Sequence, residues 1–364
     1  MRVGVAAAVV GDDLVLGDLE VEDGLITGIG LSGAGSGTAL PGFIDLHTHG
    51  FDGVDFASAS PGSISDASAA LCATGVTGFQ PTLMTLTTEE LKGALGRHRD
   101  ATYPGAEFLG THIEGPFLSP AHPGAHAPEL LVAPSAEIVA DLVDAGTVGQ
   151  MTIAPELEAA LEVISQLRDA GVAVAIGHSD ADAGTTYEAI DAGARLLTHV
   201  FNASRSFGHR DPGIVGAALT SPSVFVTAVV DNIHLSREAS MIVMSATGPD
   251  RFVAVTDAMA AAGRGAGTYT LGNRSVTVSG SEARLEDGTI ASSVLTMDAA
   301  LRNVVDLGWD LAAAVRAVST NPASAIDRND RGSIEIGRRA DIAIVDDDLQ
   351  VRRTLVGGVE MYAL

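Results

Sequence analysis

Residues 39–50 read ALPGFIDLHTHG, a short apolar run that ends in His47 and His49 with one threonine between them. Side chains alternate between the two faces of a β-strand, so residues two apart point to the same face. The run therefore predicts a buried strand that presents two imidazoles side by side at its carboxyl end.

Seven further apolar runs of strand length follow, and each is trailed by a stretch typical of a helix. They are GFQPTLM, EFLGTHIEG, VGQMTIAPE, VAVAIGHS, RLLTHVF, VFVTAVVD and RFVAVTDAM. Nearly continuous apolar strands with helical crossovers are typical of a parallel sheet that is covered on both faces. Eight such units predict an α/β fold, a (β/α)8 TIM-like barrel over residues 40–334.

The two ends of the chain have a different pattern. Residues 1–39 and 335–364 contain short strand-like runs separated by Gly and Asp turns, such as VEDGLITGIG near the start. We expect both ends to build one small β-sandwich domain. Residues 263–290, after the eighth run, predict a hairpin-like insertion in the barrel rather than a helix.

Composition excludes several classes of partner. The 364 residues carry 21 Lys and Arg against 46 Asp and Glu, a formal net charge of −25, whereas nucleic acids and anionic membranes attract clustered positive charge. The single cysteine, Cys72, excludes an internal disulfide and a site with several thiolates. No run approaches the roughly 20 apolar residues of a membrane helix, and the opening residues lack a cleavage-site pattern. We expect a cytoplasmic protein.

Polar residues of one kind follow the predicted strands. Glu114, His178, His199 and Asp257 come at the ends of the third, fifth, sixth and eighth runs. In a (β/α)8 barrel these ends meet at one face, where active sites lie, so the four residues should join the first-strand histidines there. Imidazole and carboxylate ligands favour Zn²⁺ or Fe²⁺ over Mg²⁺ or Ca²⁺. We predict one or two such ions.

A bridging lysine is not available for a second ion. The chain has one lysine, Lys92, and it lies in the predicted helix TTEELKGALGRHRD rather than at a strand end. Glu114 is therefore the candidate that could bridge two ions.

Six segments carry a resemblance to a known family. They are PGFIDLHTHG, THIEGPFLSPAHPGAHAPE, IGHSDA, THVFNA, HRDPGIVG and VTDAMAAAG. Together and in this order they resemble the amidohydrolase superfamily and, within it, the N-acetylglucosamine-6-phosphate deacetylases. The HTH triplet is typical of the whole superfamily, whereas HIEGPF with the later GAH and FNA is much narrower.

This resemblance implies the reaction and the metal ligands. The reaction is metal-dependent hydrolysis of the acetamide of N-acetyl-D-glucosamine 6-phosphate to glucosamine 6-phosphate and acetate, a step in amino-sugar catabolism and cell-wall recycling. By the same resemblance Glu114, His178 and His199 hold one metal ion, and His47 and His49 supply the second in members with two.

The resemblance also assigns the catalytic groups. Asp257 would act as general base and acid beside the metal, and His126 would orient or polarise the acetamide carbonyl. These roles suit the chemistry, because an amide is a poor electrophile and its leaving amine needs a proton. His122 lies in the same loop and is the alternative to His126.

Four more residues are implied to bind the phosphate and the sugar. They are Asn202, Ala203, Arg210 and His234. In the resembling family the arginine reaches the active site of a neighbouring subunit, which implies a homodimer, although Arg210 could instead pair with Asp211. The sequence departs from the family pattern at Ser204 and at residues 291–293, so the pocket wall is expected to differ there.

Two other functions fit parts of the pattern. A different amidohydrolase, such as a cyclic amidase or a deaminase, would share the barrel and the HTH triplet, but the missing lysine disfavours the first and HIEGPF the second. A non-catalytic barrel would have lost metal ligands, whereas this sequence retains all of them.

Overall fold

Eight parallel strands form the barrel in the middle of the chain. The structure, a computed structural model, describes residues 1–33 and 35–364. The barrel strands are β1 (Phe43–Thr48), β2 (Val76–Leu83), β3 (Thr111–Glu114), β4 (Val148–Ile153), β5 (Ala173–Ile176), β6 (Ala194–Leu197), β7 (Phe225–Ala228) and β8 (Phe252–Ala254).

Each barrel strand pairs in parallel with the next one along the chain, from β1 to β8. A short piece, Glu107–Phe108, precedes β3 and pairs with the same neighbour, β2. The ring closes through a bridge between Thr48 and Ala258, just past the ends of β1 and β8. The predicted TIM-like barrel is confirmed.

Helices follow the strands and cover the outside of the barrel. They are Pro61–Leu71, Thr88–Asp100, Ala136–Ala145, Ala160–Asp169, Ala183–Ala192, Gly213–Thr220, Arg237–Thr247, Met297–Asp306, Leu311–Val315 and Asn321–Ala325. Two 3₁₀ turns, Cys72–Thr74 and Pro128–Leu130, and a π-helical turn, Arg316–Thr320, are also present. None of the helices within the described residues is long and apolar enough to cross a membrane.

Local sequence explains how these elements form. The helix Thr88–Asp100 begins at a capping box, in which Thr87 and Glu90 each satisfy a backbone N–H of the other. Its buried face includes Leu91 and Leu95. All eight residues of β2 are buried, because the helices cover one face of the sheet and the barrel interior fills the other.

Both chain ends form a second sheet. In spatial order its strands are Asp13–Leu16, Ala7–Val10, Thr38–Pro41, Ile342–Val345, Val351–Val356 and Val359–Ala363. One pair is parallel and the rest are antiparallel, so the sheet is mixed. A hairpin of Asp18–Glu22 and Leu25–Leu31 shares an apolar core with it, including Leu19, Ile26 and Ile342. The predicted β unit built from both ends is confirmed.

The insertion after β8 is a small antiparallel sheet with its own apolar core. Its strands are Gly267–Leu271, Arg274–Ser279 and Glu282–Arg284, so a third strand joins the expected hairpin. Its core includes Val276 and Val278, together with Met84 and Met259 from the barrel loops. A further small hairpin, Gly50–Phe51 with Val54–Asp55, follows β1.

Candidate metal centre and active site

The barrel brings all six predicted ligand residues to its carboxyl end. His47 lies in β1 and Glu114 ends β3, whereas the other four follow the last residues of β1, β5, β6 and β8. Each of the six is at most 6% exposed: His47, His49, Glu114, His178, His199 and Asp257. Six polar side chains buried this deeply need each other or a ligand as partners.

Three of these residues have left-handed backbone conformations. His178 has a φ of 48°, His199 of 22° and Asp257 of 48°. Such angles are uncommon for residues other than glycine, cost free energy, and cluster at functional sites. Here they turn the chain sharply at the end of β5, β6 and β8.

Glu114 lies at the centre of the group. Its Oε1 is 3.2 Å from His178 Nε2 and 3.0 Å from His199 Nε2. Its Oε2 is 3.4 Å from His49 Nε2 and 3.6 Å from His47 Nε2. The carboxylate thus connects two triads of candidate ligand atoms, each within 4.8 Å of one another: His47, His49 and Glu114, and Glu114, His178 and His199.

The buried carboxylates of this group keep a negative charge that a positive charge would balance. Burial raises the pKa of Glu114, but the nearby histidines outweigh burial and hold the pKa well below its usual value. Burial lowers the pKa of His49, yet hydrogen bonds to Asp257 and Glu114 prevail and raise it to about 10. In His47 burial prevails, and the pKa falls. Two buried carboxylates therefore retain negative charge, which a proton on His49 or a bound cation would balance.

The donor set fits a divalent cation. The Nε2 atoms of His178 and His199 are 3.1 Å apart, as are those of His47 and His49, and both pairs face Glu114. Such convergence of imidazole nitrogens on one carboxylate is natural for ligands of an ion. His178 also directs its outer nitrogen, Nδ1, to a backbone oxygen 3.0 Å away, the second contact that metal-binding histidines usually make.

Asp257 extends this group toward β7. Its Oδ1 is 3.2 Å from His49 Nε2 and 3.4 Å from His47 Nε2. Its Oδ2 is 3.6 Å from Nε2 of His234. Burial raises the pKa of Asp257, but His47 and His49 lower it further than burial raises it, so the group is a carboxylate at neutral pH. A carboxylate in this position can accept a proton from water and later donate it.

His126 faces the same centre from the loop after β3. Its Nε2 is 3.3 Å from Glu114 Oε2, and its Nδ1 accepts a hydrogen bond of 3.2 Å from the backbone N–H of Thr85. Because a backbone N–H can only donate, Nδ1 has no proton and Nε2 carries it. Burial lowers the pKa of His126 to about 4, so the ring is neutral. The side chain of His122 lies 3.1 Å from Asp180, and the backbone oxygen of His122 is the one that Nδ1 of His178 contacts.

A cavity of about 220 Å³ opens beside these groups. Asn202, Ala203 and His234 line it, whereas Arg210 is an exposed loop residue outside the lining. Asp211 Oδ2 lies 2.6 Å from Nη2 of Arg205. Ser292 lines the cavity and donates to the backbone oxygen of Asp257.

Sequence reasoning missed several residues of this site. Thr85 sets the ring of His126, and Asp231 accepts a hydrogen bond of 2.8 Å from Nδ1 of His234. Asp45 is a buried residue of β1, and its Oδ1 accepts from the backbone N–H of His47 at 3.2 Å. Asp45 falls on the period-two face of the two histidines and could have been found. Thr85 and Asp231 had no comparable signal.

Comparison with known proteins agrees with this geometry. A barrel with these ligand residues is typical of metal-dependent hydrolases. The model of the amidohydrolase family matches residues 38–361. The chain is 35% identical over 332 residues to N-acetylglucosamine-6-phosphate deacetylase from Bacillus subtilis (strain 168), covering 88% of this chain and 83% of the relative. It is 35% identical over 327 residues to N-acetylgalactosamine-6-phosphate deacetylase from Escherichia coli O157:H7, covering 87% and 86%.

A solved structure matches the whole fold. It is a mutant of N-acetyl-D-glucosamine-6-phosphate deacetylase from Mycobacterium smegmatis in complex with N-acetyl-D-glucosamine-6-phosphate. The TM-score is 0.95 at 34% identity, over 100% of this chain and 99% of the other. The chain belongs to the amidohydrolase family, among its N-acetylglucosamine-6-phosphate deacetylases.

Proposed function

We propose that this chain hydrolyses the acetamide of N-acetyl-D-glucosamine 6-phosphate to glucosamine 6-phosphate and acetate. The observation that carries the proposal is that Asp257 and His126 both contact the group centred on Glu114. Asp257 Oδ1 lies 3.2 Å from His49 Nε2, and His126 Nε2 lies 3.3 Å from Glu114 Oε2. Amide hydrolysis needs an activated water, a polarised carbonyl and a proton for the leaving amine.

The proposed cofactor is Zn²⁺, with Fe²⁺ as the alternative. Four imidazoles and one or two carboxylates suit these ions better than Mg²⁺ or Ca²⁺, which prefer oxygen ligands. Glu114, His178 and His199 would hold one ion, and His47 and His49 would share Glu114 with a second. When bound, such an ion lowers the pKa of water and polarises the carbonyl.

Asp257 and His126 act on different atoms of the amide. Asp257, a carboxylate, takes a proton from the attacking water and returns it to the nitrogen as the C–N bond breaks. His126 is neutral and directs its Nε2–H into the site, so it donates a hydrogen bond to the carbonyl oxygen as negative charge develops there.

Binding of the sugar phosphate involves the loops after β6 and β7. Asn202, Ala203 and His234 line the cavity there. Asp231 accepts from Nδ1 of His234 at 2.8 Å and so fixes the orientation of the ring. Arg210 is exposed and outside the cavity of its own chain, so we assign it to the phosphate in the neighbouring active site of a homodimer.

The galacto epimer, N-acetylgalactosamine 6-phosphate, is the second candidate substrate. A relative that is 35% identical is named for that activity. The two sugars differ only in the orientation of one hydroxyl group, so the same metal centre would serve both.

One experiment tests the proposal. Metal content of the purified protein is measured together with release of acetate from both phosphorylated N-acetyl sugars. We expect one or two equivalents of a transition metal per chain and hydrolysis of the gluco sugar. Metal-loaded protein that is inactive on both sugars would contradict the proposal; a panel of cyclic amides and amino-heterocycles then tests the other amidohydrolase reactions. Protein that binds no metal would support a non-catalytic barrel.

A further inference from the structure

We propose that Met84 and Leu271 form the wall that limits the length of the acyl group that this enzyme removes. The inference rests on the proposed function, because it assigns one part of the substrate to one side of the same cavity. Met84 follows β2, and Leu271 ends the first strand of the insertion. Both residues line the cavity.

The cavity has two chemically different sides. Asn202 and His234 follow β6 and β7 and offer polar side chains. In a ring of eight strands β2 lies opposite β6, so Met84 faces these residues across the barrel mouth. Leu271 lies beside Met84 and extends the apolar side. Glu114 lines the same cavity.

The substrate has the same division. Phosphate and hydroxyl groups lie on one side of the scissile C–N bond, and a methyl group lies on the other. With the sugar phosphate among the polar residues after β6 and β7, the methyl group points toward β2. Thr85, the neighbour of Met84, holds the ring of His126, which addresses the carbonyl oxygen. The methyl group and that oxygen share one carbon atom, so the wall lies where the methyl group must go.

The wall is well supported from behind. Met84 is 4% exposed and Leu271 is 1% exposed. Both pack in the core of the insertion against residues such as Met259 and Val276. A Cβ atom added at Gly272 would lie 3.7 Å from Cβ of Met84, so the backbone of the insertion is close to this side chain. Close-packed interiors do not yield readily to added methylene groups. The wall therefore accommodates acetyl and resists longer chains.

The test compares kcat/KM for the N-acetyl, N-propanoyl and N-butanoyl derivatives of glucosamine 6-phosphate. In hydrophobic pockets one methylene changes kcat/KM by about 10- to 200-fold. We expect kcat/KM of the unsubstituted enzyme to be highest for the acetyl derivative and to fall with each added methylene. Leu271→Ala and Met84→Ala should each raise the ratio of butanoyl to acetyl by at least about tenfold.

Matched controls separate the wall from general loosening of the insertion. Leu285→Ala removes a leucine side chain from the same apolar core, and Met244→Ala removes a buried methionine side chain from the barrel core, but neither residue lines the cavity. Their acyl ratios should stay within about twofold of the unsubstituted enzyme. Leu271→Val, which removes one methyl group, replaces the alanine variant if that variant does not fold, and it should shift the propanoyl ratio in the same direction.

Three results would overturn the inference. The first is an unchanged acyl ratio in folded variants at both wall positions. The second is an equal shift in the controls. The third is a changed preference between the gluco and galacto sugars with an unchanged acyl ratio, which would place the wall against the sugar. All three presuppose hydrolysis of the acetyl substrate by the unsubstituted enzyme; its absence would contradict the proposed function instead.

Discussion

His126→Ala should lower kcat for deacetylation of N-acetyl-D-glucosamine 6-phosphate by about 10²- to 10³-fold while metal content stays unchanged. The loss corresponds to about 3 to 4 kcal/mol of transition-state stabilisation, the usual value of one positioned donor at a developing oxyanion. We expect the effect mainly in kcat, because the hydrogen bond strengthens as charge moves onto the oxygen.

The structure favours a loss of kcat near the upper end of this range. That is the loss expected when a neutral donor is removed from a buried site. His126 is 3% exposed, so water cannot replace the lost N–H easily. The backbone N–H of Thr85 occupies Nδ1 at 3.2 Å and leaves the proton on Nε2. Burial lowers the pKa of the ring to about 4, so it remains neutral and its donor remains in place from pH 5.5 to 8.5. Titration of His126 should therefore cause no decrease in kcat toward the acid end of that pH range.

The assay measures kcat, KM and bound metal for metal-loaded variants across that pH range. His122→Ala is the matched control, because His122 lies in the same loop but contacts Asp180. His126→Gln, which keeps an N–H donor, should recover part of the lost rate. The reasoning fails if His126→Ala retains kcat within threefold at full metal content, or if His122→Ala loses as much.

Three further predictions concern other parts of the molecule. Asp257→Asn should keep metal and fold but lose at least about 10² in turnover, since a positioned proton-transfer group is gone, and near-normal turnover would remove Asp257 from the mechanism. Arg210→Ala should weaken kcat/KM for the phosphorylated sugar by about 1.5 to 3 kcal/mol and barely affect N-acetylglucosamine. Equal losses on both sugars would refute the phosphate contact. If the site is shared between subunits, mixed dimers of Asp257→Asn and Arg210→Ala chains should regain activity. Burial lowers the pKa of His98 from 6.5 to about 4. The unfolded chain therefore binds a proton at His98 first as pH falls. Through His98 the free energy of unfolding should drop by about 3 kcal/mol between pH 6.5 and 4. Denaturant titrations of His98→Phe should lack this contribution.

Much of the fold and the metal centre could be predicted from sequence. The strands of a covered parallel sheet are buried on both faces, so β2 and its neighbours are continuous apolar runs that stand out from the helices. Because parallel strands place their carboxyl ends at one face, a histidine or glutamate at each end is enough to predict that they meet. His47, Glu114 and His199 follow this pattern.

The sequence by itself determined the barrel, the β unit from both chain ends and the set of buried ligand residues, because these follow from apolar periodicity and the common direction of the strands. Tertiary structure decided which groups orient that set. The donor that fixes the proton of His126 is the backbone N–H of Thr85, and every residue except proline has such a group, so no residue type marks it. The apolar wall joins Met84 to Leu271 from a distant insertion, and only the path of the loops brings them together. The same holds for the ion pair of Asp211 with Arg205, which depends on the path of the loop between them and not on adjacency in the chain.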